Sequence, residues 1–162
     1  MYIRDAKEID LETIVEIYNE SIPSRSATAD TEPISVASRW NWYCDRSLHR
    51  PLWVVERENI IVGWLSFQSF YGRPAYRHTA EVSIYITSEY QQQGIGSYLL
   101  ENAIAHSPEL EIKTLLGFIF AHNQASLKLF ERYDFATWGH LPQVAELDGI
   151  QRDLLILGRK ID

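Results

Sequence analysis

The sequence predicts an α/β fold, a mixed α+β sheet with helices interspersed along the chain, and three observations carry that prediction. Residues 79–121 read as strand, helix, strand, with a glycine-bearing turn between the first two. Residues 52–70 read as two β-rich runs separated by Arg57-Glu58-Asn59, the pattern of a hairpin. No internal repeat, low-complexity tract or Pro/Gly-rich linker divides the chain, so one domain over residues 1–162 is expected.

Each element follows from its pattern. Tyr2-Ile3-Arg4 reads as a short strand. Asp10 precedes a helix in which Leu11, Ile14, Val15, Ile17 and Tyr18 recur at helical spacing, and Pro23 ends it. Residues 24–34 are polar and turn-rich, and 35–48 read as a second helix carrying Trp40, Trp42, Tyr43 and Leu48. The hairpin follows, then a loop over Tyr71–His78 with Gly72 and Pro74. In the strand Thr79–Thr87, Ala80, Val82, Ile84 and Ile86 face one way, and Glu81, Ser83, Tyr85 and Thr87 the other. A helix over about 95–107 shows an apolar stripe of Ile95, Leu99, Leu100, Ala103 and Ile104. Residues 112–121 are apolar on both faces, as in a strand covered on both sides. Asn123 caps a helix running to about 133, and strands near 136–146 and 152–158 turn at Asp148-Gly149. The order is β-α-α-β-β-β-α-β-α-β-β, and the 79–121 unit is a right-handed crossover.

The formal net charge is −7, without the basic face a nucleic-acid binder uses against phosphates, so no nucleic-acid partner is expected. Residues 1–20 hold no apolar signal core, and no apolar run approaches the roughly 20 residues that span a bilayer. A cytoplasmic protein that does not engage a membrane is expected. The lone Cys44 cannot form an internal disulfide and is expected to be a small buried side chain on the second helix. The five histidines are scattered without ligand spacing, so no metal site is expected. Trp40, Trp42, Trp53, Trp64 and Trp138 are expected in the core or a subunit interface rather than a ligand cage.

The turn Gln91-Gln92-Gln93-Gly94-Ile95-Gly96 joins the 79–87 strand to its helix. A helix start carries unpaired N–H groups and partial positive charge, which together favour an anion. Glycines at 94 and 96 let an anion approach the main chain, and the glutamines can donate without adding charge. The same spacing equally suits an ordinary strand-to-helix turn. It is no Walker loop, since no Lys-Ser/Thr follows, and the third glycine of a dinucleotide fingerprint would fall at Leu99.

Wider context points further. The strand with Glu81, the QxxGxG turn, the next helix and strand, Asn123, and Ser126-Leu127-Lys128-Leu129-Phe130-Glu131 resemble the GNAT N-acetyltransferase superfamily. Ile17-Tyr18-Asn19, Ala29-Asp30-Thr31-Glu32-Pro33, Tyr76–Glu81 and Gly139-His140-Leu141 resemble its phosphinothricin N-acetyltransferase-like branch. The resemblance implies a central, mostly antiparallel sheet with helices on both faces, and acetyl-CoA as acetyl donor. It places Ile84, Tyr85 and Ile86 beside the pantetheine arm, and Gln91, Gln92, Gln93, Gly94, Ile95, Gly96 and Ser97 on the pyrophosphate. Asn123 and Ser126 fall near the pantetheine and thiol end, and Glu81 falls on the general base. The acceptor is implied to be a small amino-acid-like amine of the phosphinothricin, methionine sulfone or methionine sulfoximine type, and the assembly a homodimer.

Amine acetylation requires a neutral nitrogen, so a carboxylate within reach of the acceptor is useful. Burial would raise its pKa toward the working range. An isolated strand glutamate is more often a surface residue paired with Lys or Arg, and position favours Glu81 for the other role. Arg73 and Arg77 can bind an acceptor carboxylate, and Tyr76 can close over its aliphatic chain. Two departures from the family pattern stand out: Phe130 replaces the usual proton-donating side chain, and Asp134 replaces the glycine before Phe135. Tyr133 or water is left to protonate the thiolate, or it departs as the free thiolate. A non-catalytic acyl-CoA sensor and a transferase acting on a protein or peptide amine are the alternatives.

Overall fold

The computed structural model describes all residues 1–162. Seven strands form one sheet in the order β1-β2-β3-β4-β5-β7-β6. They are β1 (Tyr2–Asp5), β2 (Leu52–Arg57), β3 (Ile60–Ser69), β4 (Thr79–Ile86), β5 (Thr114–Phe120), β6 (Ala136–Leu147) and β7 (Ile150–Lys160). Four helices accompany them: α1 (Leu11–Ser21), α2 (Trp40–Cys44), α3 (Ile95–His106) and α4 (Gln124–Arg132). Only β4 and β5 run parallel, and every other pairing is antiparallel.

Alternation along the strands gives the sheet two apolar faces. On one, Ala80 and Val82 of β4 join Leu99, Leu100, Leu127 and Phe130 from α3 and α4. On the other, Leu52, Val54 and Trp64 meet Leu11, Ile14, Val15 and Tyr18 of α1. The tight turns use the left-handed conformations expected of hairpins: Glu58 and Asn59 join β2 to β3, and Asp148 and Gly149 join β6 to β7.

Two local expectations need correction. The second helix shrinks to five residues, preceded by a 3₁₀ turn over Ala37–Arg39, and Ser47 and Arg50 already bridge outside it. Residues 35–48 lack a continuous apolar stripe, so packing supports only the Trp40–Cys44 turn. Cys44 is exposed, because the short helix turns it outward. Asp10, just before α1, accepts from the Lys7 amide (2.7 Å) and pairs with Arg4 (2.7 Å), holding β1 against the helix entry.

Asp134 makes no local difference to the end of α4. It takes the left-handed conformation (φ 64°) that a glycine would take there. The Phe135 amide reaches back to the Phe130 carbonyl (3.2 Å) and the Asp134 amide to Glu131 (3.1 Å), a Schellman ending. Asp carries its Cβ into that conformation at a cost of about 1 kcal/mol.

Candidate active site

β4 and β5 pair only at Thr79–Thr114, Ala80–Leu115 and Glu81–Leu116. Beyond that point β4 stays on β3 and β5 stays on β7, and the two strands part. The parity of the ladder decides which backbone groups are freed. Phe70 donates to the Thr79 carbonyl (3.3 Å) and Thr87 donates to the Val62 carbonyl (2.9 Å), so the odd residues of β4 exchange bonds with β3. The even residues, including Ile84 and Ile86, therefore turn their N–H and C=O groups to the open side. The Gln91 side-chain Nε2 agrees with this direction by donating to the Ile86 carbonyl (3.3 Å).

The opening leads up to the start of α3. Gln91, Gln92, Gln93 and Gly94 are exposed, with Gln92 (φ 60°) and Gly94 (φ 81°) left-handed on either side of Gln93. The first α3 bond runs from the Tyr98 amide to the Gly94 carbonyl (3.0 Å), and no side chain caps the helix. The amides of Ile95, Gly96 and Ser97 are left without partners. The two glycines serve different ends. A Cβ at Gly94 would meet open space, so its backbone conformation is what requires glycine. A Cβ at Gly96 would meet the Leu129 side chain at 3.1 Å, so there glycine lets α3 pack against α4.

The glutamines do less for a ligand than their composition suggested. Gln91 is tied to Ile86, and Gln93 donates to the Glu89 carbonyl (3.1 Å) while accepting from Arg57 (2.7 Å). Only Gln92 has an uncommitted amide. Their main work is bracing the turn.

Across the opening, Asn123 caps α4 by accepting from the Ser126 amide (3.2 Å), which sets both residues where β5 ends. Phe130 is buried; a Cβ on Gly117 would meet its ring at 2.7 Å, and it meets Phe135 edge-on with centroids 4.9 Å apart. It is a packing residue of the core.

Glu81 occupies the last paired position of β4, at the point where the strands part. Its side chain lies on the α1 face with Gln68, Ser66 and Tyr85, following the β3 register. It is half-buried and makes no hydrogen bond or ion pair, and burial pushes its carboxyl above the ordinary glutamate range. A surface glutamate paired with lysine or arginine is thus ruled out as its description.

The 71–78 loop feeds directly into β4. Arg73 and Arg77 are exposed and their guanidinium groups are unpartnered, while Tyr76 packs edge-on against Phe70 (5.3 Å between centroids). Sequence reasoning missed what holds this loop. Buried Arg50 donates to the carbonyls of Arg77 (2.6 Å) and His49 (2.6 Å) and lies 3.4 Å from that of Thr79. It missed also how residues 24–31 cover the far side. Tyr18 bonds Thr28 and Asp30, Tyr85 donates to the Ala27 carbonyl (3.3 Å), and His122 bonds the Arg25 carbonyl (2.7 Å). These contacts join positions up to 97 residues apart, and no local pattern signals them. Burial pushes the Tyr85 phenol upward, so it stays protonated.

The fold and this opening define a transferase that takes an acyl group from a CoA thioester. Comparison with known proteins narrows the class. Residues 11–135 match the family model described as Acetyltransferase (GNAT) family. The chain is 51% identical over 162 residues, 99% of each chain, to YwnH of Bacillus subtilis (strain 168), provisionally named a phosphinothricin acetyltransferase. It is 28% identical to the L-methionine sulfoximine/L-methionine sulfone acetyltransferase of Salmonella typhimurium, covering 100% of this chain and 95% of the other. Among solved structures it is similar to a GNAT superfamily phosphinothricin acetyltransferase (Pat) from Sinorhizobium meliloti in complex with AcCoA. There the TM-score is 0.92 at 26% identity, covering 99% of this chain and 88% of the other. The chain belongs to the acetyltransferase (GNAT) family and is an acetyl-CoA-dependent N-acetyltransferase.

The site's own features fit acetyl-CoA. The free edge of β4 carries the alternating donors and acceptors that an extended amide-bearing arm can bond, and the uncapped α3 amides are donors of the kind that a pyrophosphate accepts from.

Proposed function

We propose that the chain acetylates the amine of a small amino-acid-like acceptor by direct transfer from acetyl-CoA, with Glu81 as general base. The phosphinothricin, methionine sulfone and methionine sulfoximine type is the acceptor class we favour, in line with the names of the similar proteins. The single observation that carries the mechanism is the unpartnered, half-buried Glu81 carboxylate at the parting of β4 and β5.

Acetyl-CoA supplies an activated thioester. Ile84 and Ile86, with Tyr85 between them, hold its arm along the open edge, Gln91 through Ser97 hold its pyrophosphate, and Asn123 and Ser126 border the thiol end. Glu81 takes the proton from the acceptor ammonium, directly or through one water, and frees the nitrogen lone pair for attack. Main-chain N–H groups of the open edge stand ready to bond the developing oxyanion. The aromatic cluster of buried Tyr18 and Trp64 with partly buried Tyr85 shields the Glu81 face from water, which sustains the raised pKa. Arg73 and Arg77 receive the acceptor's acid group, and Tyr76 packs on its chain. Phe130 gives no proton to the departing thiolate, so a water or Tyr133 supplies it.

One domain over residues 1–162 contains all of these groups. We place the enzyme in the cytoplasm as a homodimer; exposed Trp138, Leu141 and Val144 on the outer strand β6 give such an assembly apolar surface to cover. No helix is long and apolar enough to cross a membrane.

The test is thiol release from acetyl-CoA across a panel of amines that includes the three named acceptors, other amino acids and peptides. Turnover concentrated on the amino-acid-like members supports the proposal. Absence of turnover by folded protein that binds acetyl-CoA, or turnover confined to peptides, overturns it.

A further inference from the structure

We infer that Arg132, on α4, is a phosphate-binding residue for the CoA donor and that it supplies the cation that the turn Gln91–Gly96 lacks. The inference rests on the cofactor assignment above and adds a residue to it. CoA carries a pyrophosphate and a 3′-phosphate, whereas the protein has a net charge of −7 and no basic residue between Gln91 and Ser97. Backbone amides can orient such an anion, but a neighbouring guanidinium adds charge and fork-shaped donors.

Two arginines touch the turn, and the structure gives them different work. Arg57 comes from β2, on the side away from the β4–β5 opening; it bonds the Gln93 side-chain oxygen at 2.7 Å and lies over the Tyr90 ring. Its contacts brace the turn from behind. Arg132 comes from α4, on the β5 side of the opening. Leu129, one turn earlier on α4, touches the start of α3 at Gly96. Arg132 therefore stands at the first turn of α3, where the amides of Ile95, Gly96 and Ser97 are unpartnered. Its only polar contact is a long one, Nη1 to the Ser97 hydroxyl at 3.4 Å. It is exposed and pairs with no carboxylate, although Glu131 and Asp134 adjoin it in sequence. A guanidinium held loosely at an uncapped helix start, with its remaining donors free, is poised for an anion arriving along the opening.

The experiment is calorimetric binding of CoA and of 3′-dephospho-CoA to wild type, Arg132→Ala, Arg132→Lys and Arg57→Ala, at low and high salt. Thermal melts establish that each variant is folded. Arg132→Ala is expected to weaken CoA binding about five- to tenfold at low salt. It is also expected to flatten the salt dependence, and Arg132→Lys to recover part of the loss. Arg57→Ala is expected to cost less than Arg132→Ala. An equal loss for both ligands places Arg132 on the pyrophosphate; a loss for CoA alone places it on the 3′-phosphate, and either result supports the inference. Wild-type affinity and salt dependence in folded Arg132→Ala overturn it, as does a larger loss in Arg57→Ala. Failure of the wild type itself to bind CoA would instead sink the cofactor assignment on which the inference rests.

Discussion

Asp10 and Glu81 are both carboxylates taken out of water, and the protein treats them in opposite ways. Asp10 is buried at the entry to α1, where Arg4 grips both its oxygens (2.7 and 3.0 Å) and the Lys7 amide adds a third bond. Hydrogen bonding from Arg4, outweighing desolvation, holds its pKa below the ordinary aspartate value. Glu81 is half-buried where two strands part, and nothing compensates it. Burial alone moves its pKa up. The difference separates structural from chemical use of the same functional group: a satisfied acid anchors two elements, and an unsatisfied one keeps its lone pairs for a substrate.

The largest test of this contrast is Glu81→Gln, expected to lower kcat by about 10² to 10⁴ with little change in CoA affinity, measured by steady-state kinetics and calorimetry. In wild type, kcat/KM should rise with pH through the Glu81 pKa, above the ordinary carboxylate range of about 4. That acid limb should vanish in the variant. An unchanged pH profile would remove Glu81 from the role of base.

Stability should respond in the opposite sense at the two sites. With its folded pKa lowered, Asp10 contributes stability that is complete above about pH 4 and lost as pH falls through the folded pKa. Asp10→Asn should therefore cost about 3 kcal/mol at neutral pH, because it leaves the Arg4 cation short of a partner. Chemical denaturation should show the loss shrinking in acid. At Glu81 the folded pKa is raised, so ionisation works against the fold, and stability falls as pH climbs from the ordinary value through the folded one. Glu81→Gln should consequently melt above wild type at neutral pH and converge with it in acid. A constant offset at every pH would show that the Glu81 carboxylate is compensated after all.

Smaller effects probe the backbone. Gly94→Ala forces a side chain into φ 81° and should weaken CoA binding or stability by about 1–2 kcal/mol, although no atom lies in its way. Asp134→Gly should stabilise by about 1 kcal/mol, since the residue already sits at φ 64° in the Schellman turn. Urea titration of the pair checks both signs.

Most of the fold was legible because its signals are local. The period-2 alternation of β4, the 3.6-residue stripe of α3, the Asn123 cap and the hairpin at Asp148-Gly149 are each written within about ten residues. The exception is instructive: residues 35–48 hold apolar side chains without a continuous stripe, and tertiary packing kept only one turn of helix. Within the site, the Gln91–Gly96 turn was visible through its glycines. The separate reasons for the two glycines were not, because one lies in backbone torsion and the other in contact with Leu129.

By itself the sequence determined the element order, the side of β4 on which Glu81 lies and the glycine turn that opens α3. Periodicity and backbone preference settle these within a few residues of chain. Tertiary structure alone decided that β4 and β5 part after Glu81, that Arg4 pairs with Asp10 while Glu81 has no counter-charge, and that Arg132 stands beside α3. Those facts depend on which chain segments meet across the sheet and between helices. Charge compensation is a property of such meetings, so a list of acidic and basic residues cannot reveal which acid is left free.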